Sequence, residues 1–401
     1  MMLQENLVTL ACAVVAVSIG IFIVWGPDVY TPKKRKGAVL GLANLGHTCF
    51  LNTLLQALAP CLPFVSWLSE QQQLQDSSTL TSSLSHVLLV LSGRMASDED
   101  VLVPSRIISS LESRGWALSP GQQDAHELFH NFLTTLEEET QQLSSKKLSL
   151  VNILEASEEE AVAVSPQLRR RMCHEPSKLA VSPFQGLLTN QLQCVHCGHK
   201  TSLRYDKFDS LSLNLLEQSS LQSQTLPHLL AKFVSTEMVM GVACEGCDVP
   251  TATAVAFKTL RLGKLPSCLC LHISRTTWQD SGQAFKRLDY VEFPEMLNMN
   301  PYIFSSSAKA VNSSDNSTKL EKDDVLPSPD HIRLNHMYQL VSVVVHSGSA
   351  TSGHFITYRL SHGTRTSWWF TSDTEVRRCS LPEVMKSCAY MLFYVKCSSL
   401  Q

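Results

Sequence analysis

The chemistry in this sequence is concentrated at a few cysteines, histidines and acids. Gly41 to Leu58 reads GLANLGHTCFLNTLLQAL, in which a glycine-bearing loop, Asn44-Leu45-Gly46, runs into a helix expected to begin near Cys49. A thiol at a helix N-terminus feels the positive end of the helix dipole, which favours the nucleophilic thiolate. Asn44 lies five residues upstream, where its amide can donate to an oxyanion, with backbone N–H groups around Cys49 as a second donor. Taken alone, a lone cysteine at a helix start is more often structural. Tyr338 to Arg359 reads YQLVSVVVHSGSATSGHFITYR, two strands around a glycine-bearing loop that places His346 and His354 near the rim of a hairpin. In Gln122-Gln123-Asp124-Ala125-His126-Glu127 the two acids stand at i and i+3 and share a helix face, a pattern that a solvated amphipathic helix also explains. Cys194-Val195-His196-Cys197 and Cys244-Glu245-Gly246-Cys247 are two C-x-x-C pairs separated by 46 residues. Two such knuckles make a tetrahedral set of four thiolates for one structural zinc, with sulfur about 2.3 Å from the metal. A redox dithiol is the rival; a catalytic zinc is disfavoured because four thiolates leave no open position.

The elements that must position these groups read as one long α+β pattern. The chain has 401 residues, 44% of them hydrophobic, enough for a sizeable core. Its net charge of −3 gives no global reason to bind nucleic acid, and none is expected as a partner. Thirteen cysteines is an odd number at a density far below that of disulfide scaffolds, so a reducing compartment is expected. Residues 41–60 and 119–140 carry apolar residues at helical spacing, with Ser119-Pro120-Gly121 as the turn into the second helix. Strands are expected to dominate after about residue 200, at Thr201–Tyr205, Leu269–Ile273, Gln339–His346, Phe355–Leu360 and Tyr390–Val395. The polar stretches 141–182 and 305–330 read as flexible insertions.

These motifs, in this order, resemble those of the ubiquitin-specific proteases across residues 41–397. The cysteine box of that family is matched at Gly41, Leu42, Asn44, Gly46, Thr48, Cys49, Phe50, Leu51, Asn52, Leu55 and Gln56, with His47 where asparagine is usual. The resemblance implies a papain-like cysteine protease built as thumb, palm and zinc-clipped fingers, the fingers near residues 184–262. It implies Cys49 as nucleophile, Asn44 as oxyanion donor and His354, rather than His346, as base. His346 then lies in the flanking loop near substrate. The family usually supplies asparagine or aspartate to orient the base, and Trp368-Trp369-Phe370-Thr371-Ser372-Asp373 puts Ser372 at that position. By register Ser372 is the third triad member, with Asp373 next to it holding the oxyanion loop; the alternative is that Asp373 reaches the imidazole itself. Asp124 and Gln123 are implied to grip the arginines of the ubiquitin tail. The implied partner is ubiquitin, the implied cofactor one structural Zn2+ and no catalytic one. Two other readings are a protease for another ubiquitin-like modifier and an inactive ubiquitin-binding scaffold.

Leu7 to Trp25 is a 19-residue uncharged run, long enough to cross a hydrocarbon core of about 30 Å as a helix. The six residues before it contain one acid and no base, unlike a signal peptide. Lys33-Lys34-Arg35-Lys36 follow, and the positive-inside rule keeps them in cytosol. The expectation is a short tail, 1–6, across the membrane, a single-pass helix at 7–25, a basic linker at 26–40, and the catalytic domain in cytosol. The sequons at Asn312 and Asn316 would then stay unmodified. A Cys-His-Ser set behind an N-terminal span resembles the family's mitochondrial outer-membrane member. That implies trimming of ubiquitin from outer-membrane proteins and opposition to mitophagy, the endoplasmic reticulum being the alternative membrane.

Overall fold

The computed structural model describes residues 39–72, 79–116, 123–156, 181–216, 224–247, 254–278, 282–304, 336–349, 352–361 and 366–397, with 144–156 described by backbone alone. The chain divides into one unit of residues 1–36 with 96–98 and a second holding the remainder, and the elements below belong to the second. The segment 7–25, the basic run 33–36, the turn 119–121 and the sequons lie outside the described residues. So do 157–180 and 305–335, which hold most of the two expected insertions.

Five helices form the first half: α1 (Cys49–Leu58), α2 (Leu62–Gln72), α3 (Leu80–Leu91), α4 (Ser105–Glu112) and α5 (Ala125–Ala156). Every residue of α1 is buried. A helix covered all round belongs in a core, so its polar residues must find internal partners. Gln56 donates to the Leu40 carbonyl at 2.7 Å and accepts from the buried Arg359 guanidinium at 2.8 Å. Arg359 also donates to the Leu91 carbonyl at 3.0 Å, tying α1 and α3 to the large sheet. The first turn of α3 is closed by buried Glu139 of α5, which accepts from the Leu80 and Thr81 amides at 3.0 and 2.9 Å. A carboxylate is favoured there by the orphan N–H groups and the dipole.

Helix α5 begins at Asp124, whose Oδ1 accepts from the His126 and Glu127 amides at 2.7 and 3.1 Å as an N-cap. It continues to Ala156, so residues 141–156 are helical rather than part of a surface loop. The polar composition suggested a loop; yet residues 141–156 contain no glycine or proline to stop the turn repeating.

Two main sheets, beside three two-stranded pairings, complete the described part of the unit. The smaller is antiparallel, with strands β1 (Gly186–Cys194), β2 (Arg204–Phe208), β4 (Glu237–Met240) and β5 (Val255–Lys264) in the order β2-β1-β5-β4. The larger contains β3 (Ser210–Asn214), β6 (Cys268–Ser274), β7 (Met296–Asn298), β8 (Met337–Gly348), β9 (Gly353–Leu360), β10 (Trp368–Ser372), β11 (Glu375–Cys379) and β12 (Ala389–Lys396). Its order is β11-β10-β9-β8-β12-β6-β3, with β7 also paired to β8. All its pairs are antiparallel except β3 with β6. Central strand β12 is buried along AYMLFYV, the unbroken apolar run expected of a strand covered on both faces. The expected strand at Thr201–Tyr205 instead spans Arg204–Phe208, and the strands of the two main sheets start at Gly186, earlier than the expected predominance after about residue 200. Two further helices, α6 (Leu226–Phe233) and α7 (Leu381–Met385), each carry a proline in the first turn and a Thr or Ser cap.

Candidate active site

Cys49 is the first residue of α1 and is buried. Its thiol lies close enough to the backbone of Phe355 and Phe50 for their amides, with its own, to act on its ionisation. Phe355 follows His354 in β9, so the start of α1 is seated against the strand that carries the histidine. Thr357 Oγ1, two residues further along, donates to the Thr53 carbonyl of α1 at 2.9 Å and fixes that seating. Burial raises the thiol above its ordinary pKa. The Phe355 amide opposes this, Asp373's charge adds to it, and the other two amides oppose it. The helix start favours the thiolate but burial outweighs the amides, which leaves the proton for a base to take.

His354 and Ser372 are joined by a 2.8 Å contact between imidazole Nε2 and the serine hydroxyl. They lie on neighbouring strands, β9 and β10, whose register pairs Thr357 with Thr371. With Nε2 committed to Ser372, Nδ1 is the atom left to exchange a proton with the thiol. Asp373 makes different bonds: Asn44 Nδ2 donates to its Oδ2 at 2.9 Å and Asn52 Nδ2 to its Oδ1 at 2.8 Å. It sits at φ 50, a left-handed position that aspartate tolerates better than most residues, and its carbonyl accepts from the Leu42 amide at 2.9 Å. Gly41 lets the chain approach this turn, since a Cβ there would lie 2.7 Å from the Thr374 carbonyl.

Asn44 is exposed, and its Oδ1 accepts from the Gly46 and Thr48 amides at 3.0 and 3.2 Å. One Nδ2 proton goes to Asp373, leaving the other for a developing oxyanion. His47, the departure from the family's cysteine box, has φ 59. Asparagine and histidine are among the few non-glycine residues enriched in that region, which accounts for both the usual residue and its replacement.

His346 is turned inward. Its ring stacks on Phe355 at 4.3 Å, Nδ1 meets Lys286 Nζ at 2.9 Å, and Nε2 is buried. Burial, with Lys286 next to it, holds its pKa down at about 4. Neither ring nitrogen faces outward, so the geometry makes His346 a support beneath the loop rather than a surface for substrate. Lys286 also donates to the His346 and Gly348 carbonyls at 2.9 and 3.1 Å. This buried ammonium pins the hairpin that ends in Gly353-His354. Gly353 itself is required there, because a Cβ would meet the Ser347 carbonyl at 2.0 Å. Asp124 Oδ2 accepts the Tyr390 hydroxyl, and Gln123 is half-buried just before it.

Sequence reasoning assigned no role to Asn52, Lys286 or Tyr390. Asn52 had a signal: a polar residue three places after Cys49 in an otherwise apolar first turn. Lys286 and Tyr390 had none, being brought in by strand pairing from distant parts of the chain.

In the smaller sheet, Cys194 and Cys197 flank a tight turn closed by the Gly198 amide on the Cys194 carbonyl at 3.0 Å. Cys194 and Cys247 sulfurs are 3.9 Å apart and Cys197 and Cys244 sulfurs 3.6 Å, with all four within 4.8 Å of one another. Four sulfurs about 2.3 Å from one zinc stand about 3.8 Å apart along each tetrahedral edge. The set fits a structural zinc and is too open for disulfides, whose S–S distance is about 2.05 Å.

Comparison with known proteins agrees with this geometry. The family model described as ubiquitin carboxyl-terminal hydrolase matches residues 40–394. Ubiquitin carboxyl-terminal hydrolase 30 of Homo sapiens is 32% identical over 459 residues, covering 94% of this chain and 88% of that protein. The protein of the same name from Danio rerio is 32% identical over 450 residues, covering 94% and 90%. Among solved structures, the SAGA Ubp8/Sgf11/Sus1/Sgf73 DUB module bound to ubiquitin aldehyde has a TM-score of 0.63 and 22% identity, covering 94% of this chain and 75% of that chain. At that identity the likeness concerns the fold.

Proposed function

The chain belongs to the ubiquitin carboxyl-terminal hydrolase family and is a cysteine deubiquitinase, and from that premise we propose that Cys49, His354 and Ser372 form its triad and cleave the isopeptide bond after the last glycine of ubiquitin. The observation that carries this reading is the 2.8 Å bond from His354 Nε2 to Ser372, on a strand that Thr357 ties to the helix of Cys49. His354 Nδ1 takes the thiol proton as sulfur attacks the glycine carbonyl. The oxyanion is held by the free Asn44 Nδ2 proton and the backbone at Cys49, with Asp373 keeping Asn44 in place. As the carbon–nitrogen bond breaks, Nδ1 returns the proton to the departing lysine amine. The same atom then activates the water that hydrolyses the thioester. Ser372 accepts the Nε2 proton throughout, which fixes the ring and steadies the imidazolium.

Asp124 and Gln123 would meet the ubiquitin tail, with the Asp124 carboxylate pairing with its arginines. Loss of ubiquitin–rhodamine turnover in Cys49→Ala, and a raised KM with kcat little changed in Asp124→Ala, test these assignments. Full turnover in Cys49→Ala would overturn the first, and an unchanged KM in Asp124→Ala the second. Cys194, Cys197, Cys244 and Cys247 hold the zinc, which supplies cross-linking of the small sheet and no step of the reaction.

The proposal extends to place. The uncharged run 7–25 and the basic flank 33–36 support a single-pass anchor in the mitochondrial outer membrane with the catalytic unit in cytosol, acting on ubiquitinated membrane proteins and opposing mitophagy. Among the described residues no single helix is long and apolar enough to cross a membrane. Imaging of a fluorescent fusion to residues 1–40 tests the anchor: mitochondrial rims are expected, while a reticular pattern selects the endoplasmic reticulum and a diffuse one removes the anchor.

A further inference from the structure

A second group of metal-ligating side chains lies outside the triad and the zinc knuckle. His126 and His130 stand at i and i+4 on α5, on one face of the helix, in the sequence His126-Glu127-Leu128-Phe129-His130. Their Nε2 atoms are 3.1 Å apart. Ser210 Oγ, at the start of β3, is 2.9 Å from the first and 3.1 Å from the second. The three atoms form a triangle in which hydrogen bonds can serve only two of the three contacts. Each Nε2 offers either one proton or one lone pair, and the hydroxyl has one proton. If one ring donates and the other accepts, two protons serve three contacts. If both rings donate, the two nitrogens repel.

A cation satisfies all three at once. Ligands about 2.0–2.1 Å from a tetrahedral metal stand about 3.3–3.4 Å apart, so the triangle needs to open by only a few tenths of an ångström. The surroundings favour it. His272 stacks on His126 at 3.9 Å and braces the first ring, with its Nδ1 engaged by Ser212 at 3.1 Å and its Nε2 buried. Asp209, next to Ser210, is half-buried and close enough to His130 to interact electrostatically, which supplies negative charge at the site. The i, i+4 spacing is that of helices that grip zinc through two histidines.

We propose that His126, His130 and Ser210 form a second metal site, distinct from the cysteine knuckle, that takes a borderline divalent transition ion such as Zn2+ or Ni2+ and not Mg2+. Two imidazoles and a hydroxyl match the preference of the former for nitrogen donors. The inference is one of binding, with no hydrolytic role attached.

The test is calorimetric titration of Ni2+, Zn2+ and Mg2+ into the full chain carrying Cys49→Ala, which removes the catalytic thiol as a competing ligand. One equivalent beyond the knuckle zinc is expected for Ni2+ and Zn2+, and none for Mg2+. His126→Gln and His130→Gln should each weaken that equivalent by at least about tenfold, while keeping the knuckle zinc and the far-ultraviolet circular dichroism that report an intact fold. No additional equivalent in the parent, or undiminished binding in both folded variants, overturns the site. If either glutamine variant is misfolded, Ser210→Ala gives the same comparison: weaker binding supports the site and unchanged affinity counts against it.

Discussion

Ser372→Ala removes one hydroxyl from a 2.8 Å contact with His354 Nε2 and leaves the strand pairing around it intact. The loss can be sized from the two states of the ring. Against neutral imidazole the bond contributes about 1 kcal/mol, and against the imidazolium of the transition state about 1.5–3 kcal/mol. Only the difference, about 0.5–2 kcal/mol, acts on the chemical step, which is about 2- to 30-fold in kcat. Freedom of the ring to turn away from the thiol adds to this, so a total fall of about 10- to 100-fold is expected. A carboxylate partner would be worth far more, since miscasting the aspartate of a serine protease triad costs about 10⁴-fold. The assay is saturation kinetics on ubiquitin–rhodamine from pH 6 to 9. A kcat within twofold of the parent would show that Ser372 does not orient His354. A fall near 10⁴-fold would show that an uncharged partner is the wrong description.

Other perturbations separate the supporting residues. Asp373→Asn keeps the left-handed backbone but faces the amides of Asn44 and Asn52 with another amide. kcat should fall about 10- to 100-fold, below the 10²–10³ for removing an oxyanion donor outright. Losing its charge also lowers the Cys49 pKa, so the midpoint of iodoacetamide alkylation should move to lower pH even as turnover drops; a midpoint that stays or rises would contradict the electrostatic part. Lys286→Met leaves the His346 and Gly348 carbonyls without their donor, at about 2–3 kcal/mol of stability, read as a lowered midpoint in urea together with reduced kcat; a variant with both unchanged would show that Lys286 does not hold the hairpin. Elemental analysis should find about one zinc per chain in protein purified without added metal. Cys194→Ala should lose it and raise KM for ubiquitin while sparing the thiol's reactivity; zinc retained in that variant would remove Cys194 from the ligand set.

What the sequence made legible was what depends on short spacing. The loop and helix start at Cys49, the hairpin at His354 and the two C-x-x-C knuckles each lie within one stretch of chain, and the fold brings them where the motifs implied. Contacts made by strand pairing were not legible: nothing near Lys286 points to His346, and nothing near Tyr390 points to Asp124. Register alone left Ser372 and Asp373 as competitors for the imidazole. The left-handed turn separates them, sending the aspartate to Asn44 and Asn52 and the serine to His354. The balance acting on the Cys49 thiol was legible only in part for a similar reason. A dipole can be read from a helix start, whereas the burial that raises the Cys49 pKa depends on strands more than 300 residues away in sequence. The end of α5 is not legible from polar composition, because a polar stretch without a helix breaker can continue a helix.

The central claim is that Cys49 is a nucleophile aimed at the ubiquitin C-terminus. Incubation with ubiquitin bearing a C-terminal propargyl group, followed by intact-mass and peptide mass spectrometry, tests it directly. One ubiquitin per chain is expected, attached at Cys49, with no adduct on Cys49→Ala. Failure of the parent to label, or an adduct on any other cysteine that persists in Cys49→Ala, would contradict it.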